Sequence, residues 1–337
     1  MCKKSANLKL WFGIVVSIIC VISVFRKVNF DDLITALRMV DCRFVFLAIA
    51  FTFVNYFLRA VRWRYLLISK KSVPLASLYP ATIIGYMFNN LFPARLGELA
   101  RAYALTRKER LDVPVVLTSL VADRICDVFT VLLILMVVLL TLNFSPSMVE
   151  VERALRIGGI TTFVLCSCAL FFLMILKRRT TLAISLIEKI ARFFSRRLSD
   201  KIVPLFASFI SGIGIPSRRG HVCLVVLSSF LIWFFCILPI DMILRGAGIH
   251  LPITASMFIV ALLAFASIIP ASPGYIGTYH YACYKALSFL GIGDNVSVSI
   301  ALLIHGTGFF PVIAAGFFHI WSGGMSFAEL SKRDGEA

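Results

Sequence analysis

Charge is scarce in this chain. Charged side chains make up 15% of its 337 residues, and acids are scarcer than bases, 17 against 34. No polar stretch is long enough to hold an independent globular domain. Enzyme signatures are missing too: there is no H-E-x-x-H, no G-x-S-x-G and no phosphate-binding Gly-Lys loop. Glu98 and Asp123 can be drawn as an acid/base pair, but no leaving group can be named for them. The chain is therefore not expected to be an enzyme. Nine cysteines are spread through apolar runs, where they act as small hydrophobes. Cys166-x-Cys168 has no histidine or further cysteine nearby, which argues against a metal site. No cofactor is expected.

What is present is apolar. Hydrophobic residues reach 60%, with 30 Phe. That composition describes an all-α polytopic membrane protein forming one membrane domain over 1–337. The formal charge of +17 then reads as the positive-inside bias and attraction to anionic lipid, not as a nucleic-acid footprint.

Six apolar runs are long enough to cross: Leu8–Phe25, Phe44–Leu67, Val113–Leu142, Ile157–Leu176, His221–Leu244 and Val296–Trp321. The first has lysines before it but no small-x-small cleavage site after it, so it reads as an uncleaved span. Two shorter runs remain, Leu75–Phe92 and Ile253–Ile269. If both are re-entrant, 25 of the 34 Lys and Arg fall on one face, taken as cytoplasmic with both termini. The first hairpin (75–110) then enters from the cytoplasm and the second (253–290) from outside, as in an inverted repeat. Each turns on a P-x-x-x-G stretch, Pro93 to Gly97 and Pro273 to Gly277, with Gly274 inside the second. Residues 180–213 carry Leu182, Leu186, Ile190, Phe193 and Phe194 at helical spacing among lysines and arginines. They read as an amphipathic segment on the cytoplasmic interface, or as a loop helix packed on the bundle.

Ions inside membrane segments mark partners or cavities. Arg95, Glu98 and Arg101 share one face of the first return limb. Asp123 and Asp127 share one side of the following span, with Arg124 about 100° away. One reading is mutual neutralisation, Arg95 or Arg101 pinning the hairpin to Asp123 or Asp127. For the cluster as a whole a polar cavity is expected. The helix start after Pro93, with Arg95 beside it, suits an anion such as a phosphate. Asn89 and Asn90 can satisfy its open backbone groups. The second tip is lined by Tyr275, Tyr279 and His280, and His280 either bonds a headgroup or is a packing residue. His305 lies in a segment with Gly306, Gly308 and Pro311, built to pack closely and kink.

Three motifs carry a resemblance: Asn89-(x3)-Pro93-x-Arg95-x-Gly97-Glu98-(x2)-Arg101, Val121-Ala122-Asp123-Arg124-(x2)-Asp127 and Pro273-Gly274-(x2)-Gly277. Together they resemble the lysylphosphatidylglycerol synthase transmembrane-region family of flippase-like integral membrane proteins. Arg62-Trp63-Arg64 also fits. The resemblance implies lipid handling in a prokaryotic plasma membrane, without the soluble aminoacyl-transfer domain of some relatives. Relatives commonly carry P-G-G-x-G-x-x-E in the second hairpin. Here Tyr275 replaces a Gly and His280 stands at the Glu position, so that Glu's role is lost or passes to His280.

The expected function is a flippase-like transporter of a phosphate-bearing lipid: a phospholipid, an aminoacylated lipid or a polyprenyl-linked glycolipid. Arg95 and Arg101 would hold the phosphate, and Asp123, Asp127 and Glu98 would orient them. The alternatives are a membrane-embedded transferase on a lipid-linked substrate, and a non-catalytic partner of a lipid biosynthetic enzyme. A homo-oligomer is also considered.

Overall fold

The computed structural model describes residues 40–67, 71–92, 96–142, 149–212, 219–267 and 272–323, with Ile22, Thr35 and Arg38. Within them the chain is helical, without strands. The helices are α1 Cys42–Leu67, α2 Leu75–Leu91, α3 Gly97–Glu109, α4 Val113–Thr141, α5 Val149–Arg178, α6 Thr180–Phe194, α7 Arg196–Gly212, α8 Arg219–Gly246, α9 Ile253–Ala266, α10 Thr278–Phe289 and α11 Asp294–Ser322. The first expected span, 8–25, lies outside the described residues, as do Pro93 and Arg95.

Among the described residues, four helices are long and apolar enough to cross a membrane: α1, α4, α11 and Gly220–Gly246 of α8. The expected fourth run, 157–176, falls within α5. The paired elements α2–α3 and α9–α10 are shorter. At 1.5 Å per residue, helices of 17, 13, 14 and 12 residues (α2, α3, α9 and α10) reach only about 18–26 Å, less than the ~30 Å hydrocarbon core.

Proline and positive-φ residues set these breaks. Pro74 and Pro252 stand as the extended residues before α2 and α9, and Pro114 occupies the first turn of α4. Arg110 ends α3 in the left-handed region at φ 52°. The second P-x-x-x-G stretch folds as a 3-10 turn, Pro273–Tyr275, with Gly274 at φ 67° and Tyr275 at φ 56°. Gly277 follows at φ 93°.

α1 packs most extensively on α8, α2 on α3 and α11, and α9 on α4 and α10. The buried apolar residues form two clusters. One gathers Leu78, Ile84 and Met87 of α2 and Leu105 of α3 with Trp63 and Leu67 of α1, Leu120 of α4 and Ile320 of α11. The other gathers Phe258 and Ile259 of α9 and Leu287 of α10 with Ala48 of α1, Val138 of α4 and Ile300 of α11. α1, α4 and α11 thus each give one end to each cluster, and the two broken pairs sit at opposite ends of these three helices.

α6 and α7 pack against each other, and α7 also lies on α4. Leu182, Leu186, Ile190 and Phe193 form a stripe on α6 that the bundle leaves exposed.

Candidate functional site

Midway along α4, Asp123 and Asp127 stand one turn apart and face three other helices. From α1 come Asn55, Arg59 and Arg62, spaced four and three apart on one helix face. Arg62 is fully buried and bridges both carboxylates, Nε to Asp123 at 2.8 Å and Nη2 to Asp127 at 2.7 Å. Its remaining nitrogen donates to Ser229 of α8 at 3.1 Å. Arg59 donates to Asp127 at 2.9 Å and to Asn55 at 3.0 Å. From α3, Arg101 donates to Asp123 at 3.1 Å and stacks over Trp63, 3.8 Å from its ring centroid. Trp63 is anchored in turn by its bond to Ser119 at 2.8 Å.

Arg124 turns the other way, to Asp127 at 3.3 Å, Glu98 at 3.2 Å and the Tyr86 hydroxyl at 3.5 Å. Asp127 also accepts from the Trp233 indole at 3.3 Å. It thus has four donors, Arg59, Arg62, Arg124 and Trp233, the kind of satisfaction a buried carboxylate needs.

The cluster divides into two layers. Asp123, Arg62 and Arg101 are sealed in the packing. Asp127, Arg59, Arg124 and Glu98 line a cavity of about 400 Å³. Its polar wall continues through Tyr86, Asn89 and Asn90. Its other walls are Trp233, Leu263, Phe265, Tyr275, Tyr279, His305 and Phe309. A charged wall facing an aromatic and aliphatic one has room for a polar group carried on an apolar body.

Both broken pairs reach this cavity. Asn89 accepts the Gly97 N–H at 2.9 Å and closes the start of α3. The close approach of α2 and α3 depends on glycine: a Cβ on Gly97 would collide with the Gly85 carbonyl, and one on Gly85 would stand 2.8 Å from the Arg101 Cβ. The tip of the second pair meets the first. A Cβ on Gly274 would lie 3.1 Å from the Asn90 carbonyl and 2.6 Å from the Phe309 ring. His305 Nε2 bonds the Gly274 carbonyl at 2.9 Å.

Of the expected site residues, Asn89, Glu98, Arg124, Asp127 and Tyr275 come together on the cavity. Arg101 and Asp123 do not: each is the other's buried partner behind it, so the expected phosphate-holding role of Arg101 is replaced by a pin between α3 and α4. His280 stays out of the cavity. It is 8% exposed, its Nδ1 accepts the Gly277 N–H at 3.3 Å, and it packs edge-on against His305. Arg59 and Arg62 belong to the stretch 59–71 that the charge count places on or toward the cytoplasmic side, and the structure buries both against the two aspartates. Sequence reasoning passed over Arg59 and Arg62 as site residues, although Asn55, Arg59 and Arg62 carry the spacing of a polar helix face.

Membrane-length apolar helices around a buried ion cluster and an amphiphilic cavity define an integral membrane protein with an internal polar site. The description "Lysylphosphatidylglycerol synthase TM region" matches residues 10–316, and the chain belongs to that family. It is 24% identical to a UPF0104 membrane protein of Methanothermobacter thermautotrophicus, over 94% of this chain and 96% of the relative. A second UPF0104 membrane protein, from Pyrococcus horikoshii, is 22% identical over 88% of this chain and 92% of its own length. "Glycosyltransferase AglD" of Haloferax volcanii is 24% identical over 87% of this chain, which spans about half of that protein, 51%. No solved structure matches the chain.

Proposed function

We propose that this protein moves a phosphate-bearing lipid between leaflets, with the headgroup passing through the cavity between the two broken helix pairs. The carrying observation is the charge balance of the whole ion cluster, the sealed layer together with the residues on the cavity wall. Among the described residues, four guanidiniums (Arg59, Arg62, Arg101, Arg124) meet three carboxylates (Glu98, Asp123, Asp127), leaving one positive charge over. A phosphodiester carries one negative charge and offers oxygens to Arg59 and Arg124. The aromatic and aliphatic wall suits the first carbons of the tail. Arg124, with its side chain 36% exposed, is the residue we assign to the phosphate, with Glu98 and Asp127 orienting it. Asn89 and Tyr275 frame the entrance to the tips.

We further propose that α2–α3 and α9–α10 are re-entrant hairpins of opposite topology within one membrane domain. Their short helices and their placement at opposite ends of the long ones support this. The exposed stripe of α6 supports an interfacial position for 180–213. Archaeal relatives favour a prokaryotic plasma membrane.

Reconstitution with fluorescent phosphatidylglycerol, phosphatidylcholine and polyprenyl phosphate tests the reading. Leaflet exchange of the anionic lipids above empty vesicles is expected. Arg124→Gln should slow it at least about tenfold, the loss of one charge-assisted bond. Exchange no faster than in empty vesicles for every headgroup would sink the proposal.

The name of the AglD relative supports a second reading, a transferase acting on a lipid-linked substrate in the same cavity. It predicts a mass change in extracted lipids on expression, lost in Glu98→Gln.

A further inference from the structure

A second recess lies at one end of the bundle, apart from the cluster around Asp127. It holds about 370 Å³ between α2, α3 and α11. Arg107 and Lys108 of α3 and His319 of α11 line it, with Ser77, which bonds Glu109, and Ser322, whose hydroxyl donates to the His319 carbonyl at 3.5 Å. Among the described residues, no carboxylate lines it. Glu109, beside it, is answered by Lys71, whose Nζ donates to the carboxylate at 3.1 Å and to the Glu109 carbonyl at 2.7 Å. Bonds from Ser77 and Lys71 hold the Glu109 carboxyl below its usual range, with burial opposing them. Lys108 spends one N–H on the Ala76 carbonyl at 3.2 Å, and an ammonium has three.

Aromatic residues set the depth. Trp321 is 81% exposed at the end of α11, and Tyr79 packs edge-on against His319. Exposed Trp and Tyr mark the headgroup level of membrane helices. Basic recesses between membrane helices at that level take anionic headgroups. Arg107 and Lys108 also complement the C-terminal end of α3. That accounts for two cations in its last turn, but not for a recess that adds an imidazole from another helix.

We propose that this recess is a second anion site, at the membrane surface, that takes a phosphate group. The phosphate belongs to an anionic lipid headgroup or is free in solution. The site also bears on the cavity, because α3 carries Arg107 and Lys108 at one end and Glu98 and Arg101 at the other. A ligand that fixes the outer end of α3 stabilises the folded protein by linkage.

The test follows thermal unfolding of the purified full chain in neutral detergent. Short-chain phosphatidylglycerol, phosphatidylcholine of the same chain length, and inorganic phosphate against sodium chloride of matched ionic strength are the probes. Phosphatidylglycerol should raise the melting temperature of the wild type and of Arg124→Gln. Half-maximal protection should need at least about tenfold more lipid in Arg107→Gln/Lys108→Gln. Equal protection by inorganic phosphate assigns a free anion, and protection by phosphatidylglycerol alone assigns the headgroup. If the double variant does not fold, His319→Gln serves in its place with the same expected direction. Three results overturn the site: no protection of the wild type by either phosphate probe, protection undiminished in both recess variants, or protection lost in Arg124→Gln while the recess variants keep it.

Discussion

Arg62 shows what a single side chain does in this interior. Its planar guanidinium holds two carboxylates of α4 at once, an arrangement the point charge of lysine does not reproduce. Asp123, on the other side of that bond, also holds Arg101. Removing its charge leaves Arg101 buried without its carboxylate and Arg62 with Asp127 alone, the case in which a buried pair is most costly to break. Asp123→Asn is therefore expected to destabilise by about 3–5 kcal/mol, read as a lower midpoint in denaturant titration of the detergent-solubilised protein. Arg124→Gln, at a half-open position, should leave that midpoint within about 1 kcal/mol while slowing lipid exchange. Much of the cluster was legible as residues. Glu98, Asp123, Arg124 and Asp127 stand out because ions are rare in apolar runs. Which of them face the cavity was not legible, since that depends on how α1 is rotated against α4. The same rotation hid Arg59 and Arg62 among the cytoplasmic bases.

At the scale of elements, glycine decides how closely α2 and α3 lie. A Cβ on Gly97 would meet the Gly85 carbonyl, backbone that cannot swing aside, and the Asn89 side chain that closes the start of α3. Gly97→Ala is expected to cost about 1–3 kcal/mol and to lengthen the Asn89–Gly97 bond, visible as faster amide exchange in the first turn of α3. Hydropathy and proline found the elements well. The runs 75–92 and 113–142 correspond to Leu75–Leu91 and Val113–Thr141, because Pro74 and Pro114 fix their starts. The stretch 180–213 reads as one or two helices, but the place of the break, Ser195, was not legible: the residues on both sides favour helix, and no Gly or Pro marks it.

For the whole molecule, opposed hairpins make a definite prediction about sidedness. In a cysteine-free background reconstituted in one orientation, Ser72→Cys and Asp112→Cys should label from the same side. Leu251→Cys and Gly291→Cys should both label from the other. Labelling of Ser72→Cys and Asp112→Cys from different sides would refute the hairpin. The overall plan was partly legible through charge bias and run length. The meeting of Gly274 with Asn90 was not, because sequences 180 residues apart carry no sign of touching. Asp127, tied to four donors from three helices, gives the cavity one wall that cannot yield without breaking all of those bonds. The opposite wall turns on Gly274, Tyr275 and Gly277, where no ion pair among the described residues holds the backbone. For the transport proposed above, the arginine side would serve as the fixed jaw, and the second tip, held by neutral contacts such as His305 to the Gly274 carbonyl, as the jaw with less to break.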